Sequence, residues 1–121
     1  MQRAKVLVLA QDPMVAALLG MLLELEGCEP VFAEPGERPE AAIGRLRPPL
    51  IILLDGEMEV AQSDLFFARA AKSHATVVLF GRGADPDVAE AARRRGILWF
   101  AMPTDRPTLV RVLEAALAVT S

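Results

Sequence analysis

The chain has one cysteine, one histidine, no excess of positive charge and no long apolar run. Each shortage closes a class of function. Cys28 has no second cysteine to pair with, so an internal disulfide is excluded and a reducing compartment fits. Beside a predicted strand it reads as a small core hydrophobe rather than a nucleophile. His74 has no Cys or His partner at metal-ligand spacing, and no nucleophile–base arrangement occurs elsewhere. Thirteen Lys and Arg against sixteen Asp and Glu leave a net charge of −3, which argues against a nucleic-acid binder that works by phosphate neutralisation. "RRR" at 93–95 does not reverse this, because it falls in the last turn of a predicted helix, where cations complement the dipole. "GRGAD" at 81–85 is too short and wrongly placed to cradle a phosphate. No stretch reaches the roughly 18 apolar residues of a membrane span. In "MQRAKVLVLAQD" the apolar run breaks at Gln11-Asp12 without a small-residue cleavage site, which reads as a strand and not a signal peptide. The expectation is a cytoplasmic protein with neither nucleic acid nor membrane as partner.

What is present is apolar. Hydrophobic residues make up 53% of 121, enough for one packed domain over 1–121 that buries roughly two-thirds of its unfolded surface. Short aliphatic runs recur: "KVLVLA" (5–10), "EPVFA" (29–33), "LIILLD" (50–55), "TVVLF" (76–80) and "ILWFA" (97–101). Lacking period-2 alternation, they read as strands covered on both faces, hence a parallel sheet. Helix-periodic segments lie between them. Asp12-Pro13 is an N-cap with a first-turn proline, Val15, Leu18, Leu19 and Leu22 follow at helix spacing, and Gly27 stops the helix. A second helix is squeezed between Pro39 and Pro48-Pro49, and a third runs from about Ser63 to Ser73. Asp85-Pro86 starts a fourth that Gly96 closes, and Asp105 caps a fifth with Leu109, Val112, Leu113 and Ala116 on one face. Right-handed crossovers then give a three-layer, doubly wound (βα)5 α/β domain. No stretch after the fifth helix reads as an output domain, so a complete chain would work by contact alone.

The third run poses the chemical question, because "IILL" ends on the carboxylate of Asp55. Burying an ionised carboxylate costs several kcal/mol unless it is paired or reaches the surface. Asp55 is therefore expected at the open end of a buried strand. In doubly wound sheets, ligands and chemistry sit at the carboxyl ends of the strands, near the switch point. The positions to inspect are Ala10, Gln11 and Asp12 after the first strand, Asp55, Gly56 and Glu57 after the third, Gly81 and Arg82 after the fourth, and Met102 and Pro103 after the fifth.

Taken in order, "VLVLAQDPMVAALLGMLLELEG", "RPPLIILLDGEM" and "AARRRGILWFAMP" resemble a two-component response-regulator receiver domain, and the likeness spans essentially the whole chain. The forty-four-residue step from Gln11 to Asp55 also suits that family. The resemblance implies a flavodoxin-like fold with Asp55 as phosphoacceptor. It also implies a divalent metal held by two acidic residues after the first strand, a hydroxyl after the fourth and a lysine after the fifth. That division suits a reaction that depends on positioning and on stabilising charge on the phosphoryl oxygens. The sequence departs from it at each supporting position. Ala10 and Gln11 stand for the acidic pair, Gly81 for the hydroxyl and Met102 for the lysine. Asp12, one residue late, is a weak metal candidate beside Asp55, but Asp12-Pro13 already explains itself as a helix start. Trp99 stands where the family has its switching aromatic; without a hydroxyl to draw the ring, an aromatic packed at the sheet edge is preferred.

These departures point to a degenerate, pseudo-receiver module of two-component or phosphorelay type. It is no enzyme and acts by protein contact; no cofactor is expected, and magnesium only if the site is active. Two alternatives stay open: a true receiver phosphorylated slowly at Asp55, and a small-ligand-binding domain that uses the vacated cleft around Gln11, Asp55, Gly81 and Met102. The expected partner is a signalling protein or a second copy. "PMVAALLGMLL" (13–23) carries no charge. Ala17, Gly20 and Met21, placed away from a Val15/Leu18/Leu22 core stripe, form a candidate interface or a merely bland surface.

Overall fold

A computed structural model describes residues 4–10, 12–54, 63–81 and 97–101, together with the helical residues Glu90, Arg93, Arg94, Pro107, Val110, Arg111 and Glu114. Five strands form one parallel sheet: β1 (Lys5–Leu9), β2 (Glu29–Phe32), β3 (Leu50–Leu53), β4 (Thr76–Gly81) and β5 (Leu98–Ala101). Their spatial order is β2-β1-β3-β4-β5, the doubly wound flavodoxin-like order, with its switch point between β1 and β3. Three helices are described from end to end: α1 (Pro13–Leu25), α2 (Pro39–Leu46) and α3 (Asp64–Lys72).

Alternation within each strand sorts the core into two layers. Val6 and Val8 of β1, Leu50 and Ile52 of β3, and Val78 and Phe80 of β4 pack with Leu19, Leu23 and Cys28 on the α1 side. Leu7, Leu9, Ile51, Leu53, Val77 and Leu79 point the other way, against Ala42 and Ile43 of α2 and Phe66 and Ala70 of α3. Both faces of the central strands are therefore dry, which is why these runs show no polar alternation. β2 lies at one edge, where Pro30, with no N–H to donate, is tolerated. Cys28 is buried in the α1-side layer, as its place beside a strand predicts.

The local stops also follow from residue chemistry. Gly27, at φ +83°, takes the left-handed conformation after α1, while the Cys28 N–H donates to the Leu23 carbonyl at 2.9 Å. Arg47 is left-handed at the end of α2 (φ 48°), directly before Pro48-Pro49. Ser63 caps α3, its Oγ accepting from the Phe66 amide at 3.2 Å. Asp85, Pro86, Gly96 and Asp105, read as ends of the fourth and fifth helices, lie outside the described residues, although Glu90, Arg93 and Arg94, and then Pro107, Val110, Arg111 and Glu114, are helical.

The face of α1 is the main correction. Leu18, expected in the core stripe, is 56% exposed, and the buried side is built from Leu19 and Leu23 with Val15, Ala16 and Leu22 packed beside them. Gly20, expected on the outer surface, is buried. A Cβ there would stand 3.2 Å from Phe32 Cζ and 3.7 Å from Pro30 Cβ, so the missing side chain lets α1 lie close to β2. Ala17, Gly20 and Met21 are thus not one strip, since Ala17 and Met21 are exposed and Gly20 is not. The reason is that "PMVAALLGMLL" is apolar on every side, so the pattern holds no polar arc to mark the solvent face.

Candidate functional site

The carboxyl edge of the sheet is aligned by register. Leu9 of β1 pairs with Leu53 of β3, and Leu53 pairs in turn with Leu79 of β4. At the far edge Gly81 of β4 pairs with Ala101 of β5. The ends of β1, β3, β4 and β5 therefore finish side by side, at the place where such folds bind ligands. Past the end of β3, Leu54 remains 1% exposed, and its N–H donates to the Leu9 carbonyl at 2.9 Å. Five buried residues in a row, 50–54, thus precede Asp55. Asp55 itself, with Gln11 and Met102, lies outside the described residues.

The described positions at this edge supply little for phosphoryl or metal chemistry. Ala10 is half-buried, its methyl group packed against the α1-side core. Gly81 ends β4 without a hydroxyl. Trp99 lies in β5, the edge strand, paired with Leu79; its side chain lies outside the described structure. Asp12 is committed elsewhere. Its Oδ1 accepts the Met14 amide at 2.9 Å while its carbonyl accepts the Ala16 amide at 3.1 Å, the geometry of a helix N-cap. Among the described residues no group of three or more His, Cys, Asp or Glu side chains could hold a metal ion. Of Ala10, Asp12 and Gly81 only Asp12 carries a hard oxygen donor of the kind magnesium takes, and one of its two carboxylate oxygens is engaged in the helix cap.

If Asp12 is a cap and not a ligand, Asp12→Asn, which preserves an acceptor, should leave stability nearly unchanged. Asp12→Ala should lose about 1 kcal/mol. Urea unfolding with and without magnesium checks this: a magnesium-dependent stabilisation that disappears in Asp12→Asn would make Asp12 a ligand.

Two features of the surface stand out, the first not anticipated and the second anticipated only at Met21. In the connection from β2 to α2, Glu37 receives a bidentate pair of hydrogen bonds from Arg45, Nε to Oε2 at 2.8 Å and Nη2 to Oε1 at 2.7 Å. Oε1 also accepts the Glu34 amide at 2.9 Å. The Arg45 hydrogen bonds, helped by that amide, hold the Glu37 carboxyl down at about 2. The same pairing raises the Arg45 guanidinium further. The eight-residue separation follows no helical spacing, so only the folded loop brings the two together. The second feature is an apolar outer side of α1, where Met14, Leu18, Met21 and Leu25 are all exposed. Its signal was in the sequence, as a second stripe at steps of four, three and four.

His74 is exposed, with φ 58° in the turn before β4, and Arg93 and Arg94 are exposed, with Arg93 paired to Glu90 one helical turn earlier. Neither feature approaches the carboxyl edge through any described contact. No described helix is long and apolar enough to cross a membrane.

No protein-family model matches the chain, and no curated protein matches its sequence. The likeness is to solved structures. The Vibrio cholerae chemotaxis protein CheY4 superposes with a TM-score of 0.74 at 18% identity, over 95% of this chain and 99% of that one. The signal receiver domain of a modulated diguanylate cyclase from Desulfovibrio desulfuricans gives 0.75 at 24% identity, over 98% and 97%. NtrX from Brucella abortus gives 0.77 at 25% identity, over 98% of this chain but 27% of that longer one. What these structures share with the chain is the CheY-like receiver fold.

Proposed function

We propose that the chain is a receiver-like signalling module of two-component or phosphorelay type that acts by contact with another protein in the cytoplasm, without aspartyl phosphorylation. The observation that carries this reading is the composition of the carboxyl edge. Where the receiver resemblance calls for two acids, a hydroxyl and a lysine, the chain has Ala10, Gln11, Gly81 and Met102. Phosphoryl transfer to a carboxylate depends on neutralising charge on the transferred oxygens. A neutral amide, a thioether and a glycine supply no formal charge for that task. Each lost donor can cost about 3 kcal/mol of transition-state stabilisation, so several losses together remove several powers of ten in rate. Asp55 in this reading is the remnant of a phosphoacceptor at the end of a buried strand, and the domain is no enzyme.

Intact-mass spectrometry after incubation with acetyl phosphate and magnesium, run beside Asp55→Asn, tests the proposal. No phosphoryl adduct is expected on the folded protein. An adduct that forms on the native chain and not on Asp55→Asn would instead make this a slow but working receiver.

A further inference from the structure

β2 is an edge strand, and its one described neighbour is β1. In a parallel strand the N–H and C=O of one residue point to the same side, and successive residues alternate. The Glu29 amide donates to the Ala4 carbonyl at 2.8 Å, so Glu29 and Val31 bond towards β1. The backbone groups of Pro30, Phe32 and Glu34 therefore turn outward. Such a row is a template on which another strand can add.

Here the row is occupied from within the chain. Arg45 Nη2 donates to the Phe32 carbonyl at 3.4 Å, and Glu37 Oε1 accepts the Glu34 amide at 2.9 Å. The two side chains are joined to each other by their bidentate pair. A linked donor and acceptor thus meet an outward acceptor and an outward donor two residues apart, as a neighbouring strand would. Pro30 has no N–H, which removes the preceding outward donor. We propose that Glu37 and Arg45 guard the outer edge of β2, filling its hydrogen-bonding row so that β2 of a second copy cannot add to it.

Both members of the guard are placed by backbone. Pro35 and Gly36, the latter at φ +79°, are the central residues of a type II turn closed by the Glu37 N–H on the Glu34 carbonyl at 2.9 Å. That turn folds Glu37 back beside Glu34. Arg45 projects from the last turn of α2, a helix anchored by buried Ala42 and Ile43. A bidentate arginine–carboxylate pair held in this way is the kind of exposed ion pair that does contribute.

The edge has reason to be guarded. Phe32 is 43% exposed beside the row, and an aromatic side chain on a bare strand edge favours cross-strand pairing. β2 is also parallel to β1 and extended already, so a second copy could add without any refolding of the first. The proposal uses no property of Asp55, so it stands or falls separately from the phosphorylation reading.

Sedimentation velocity over a concentration series, beside circular dichroism to confirm folding, is the test. The double variant Glu37→Ala/Arg45→Ala removes the guard, and because it loses one anion and one cation it leaves the net charge as it was. Freeing two backbone groups for pairing is expected to tighten self-association at least about tenfold over the native chain. Adding Glu34→Pro takes away the outward donor, at a position where an edge strand tolerates proline, and is expected to return association to the native level. Arg45→Met frees the Phe32 carbonyl alone and serves where the double variant does not fold; it is expected to move part of the way. A folded variant without the guard that associates no more than the native chain overturns the proposal. So does an association that Glu34→Pro leaves unchanged, since the added contact would then not be a strand.

Discussion

Truncation of Phe66 to alanine is expected to cost roughly 3–5 kcal/mol of folding stability. The ring is fully buried on the face of α3 that meets the sheet. It also lies edge-on to Phe67, with centroids 5.1 Å apart and planes at 87°, an arrangement that adds about 0.5–1.5 kcal/mol beyond its buried area. Its neighbours in that layer include Leu53 and Leu79, which sit near the carboxyl ends of β3 and β4, and Ile43 of α2. These strand residues are hydrogen-bonded into the sheet and cannot collapse into the space, so the cavity persists and the loss falls at the high end of the series. A domain of this size has about 5–15 kcal/mol in total, and Phe66→Ala therefore uses up a third or more of it. Leu65→Ala, one residue away but 51% exposed, is expected to change stability by less than about 0.5 kcal/mol. Urea unfolding followed by circular dichroism separates the two; equal effects would mean that α3 presents a different face to the sheet.

The strands and the rotation of α1 show where sequence reasoning held and where it failed. The strands were legible because β1, β3 and β4 are dry on both sides, and such burial leaves the same unbroken aliphatic run wherever it occurs. Helix starts were legible where a capping side chain precedes the first turn, as Asp12 and Ser63 do. The rotation of α1 was not, since a charge-free segment has no polar arc, and what turned it was contact with β2. Gly20 faces Phe32 and Pro30, two residues ten and more positions away, and no helical wheel carries that information. The Glu37–Arg45 pair was hidden for the same reason, being made by a loop that must fold before its ends meet. At the carboxyl edge, the buried run 50–54 was legible as an aliphatic strand, while Asp55, expected at its open end, lies outside the described residues. The N-cap role of Asp12, weighed against a metal role, rests on a hydrogen bond of two-residue span that local sequence does encode.

The largest expected change in activity comes from restoring the groups the carboxyl edge lacks. With Ala10→Asp, Gln11→Asp, Gly81→Ser and Met102→Lys combined, labelling of Asp55 by acetyl phosphate in magnesium is expected to rise at least about a thousandfold. Asp55→Asn in the same background should abolish it. The four changes should act as a unit. Met102→Lys alone adds one cation to a site without a metal, and the acidic pair alone adds like charges with nothing to hold in place, so single variants should gain little and their product should fall far short of the combination. Ala10→Asp carries a cost as well, because the Ala10 methyl packs against the α1-side core and a carboxylate there is poorly placed without a partner. The combined variant should therefore be less stable than the native chain in chelator, and magnesium should recover much of the loss, since a ligand that binds the folded state stabilises it. This second readout separates two ways of failing. If magnesium stabilises the variant but Asp55 stays unlabelled, the edge has lost its geometry along with its functional groups. If magnesium has no effect, the acids do not converge, and the receiver resemblance fails at the level of the site while the fold stands.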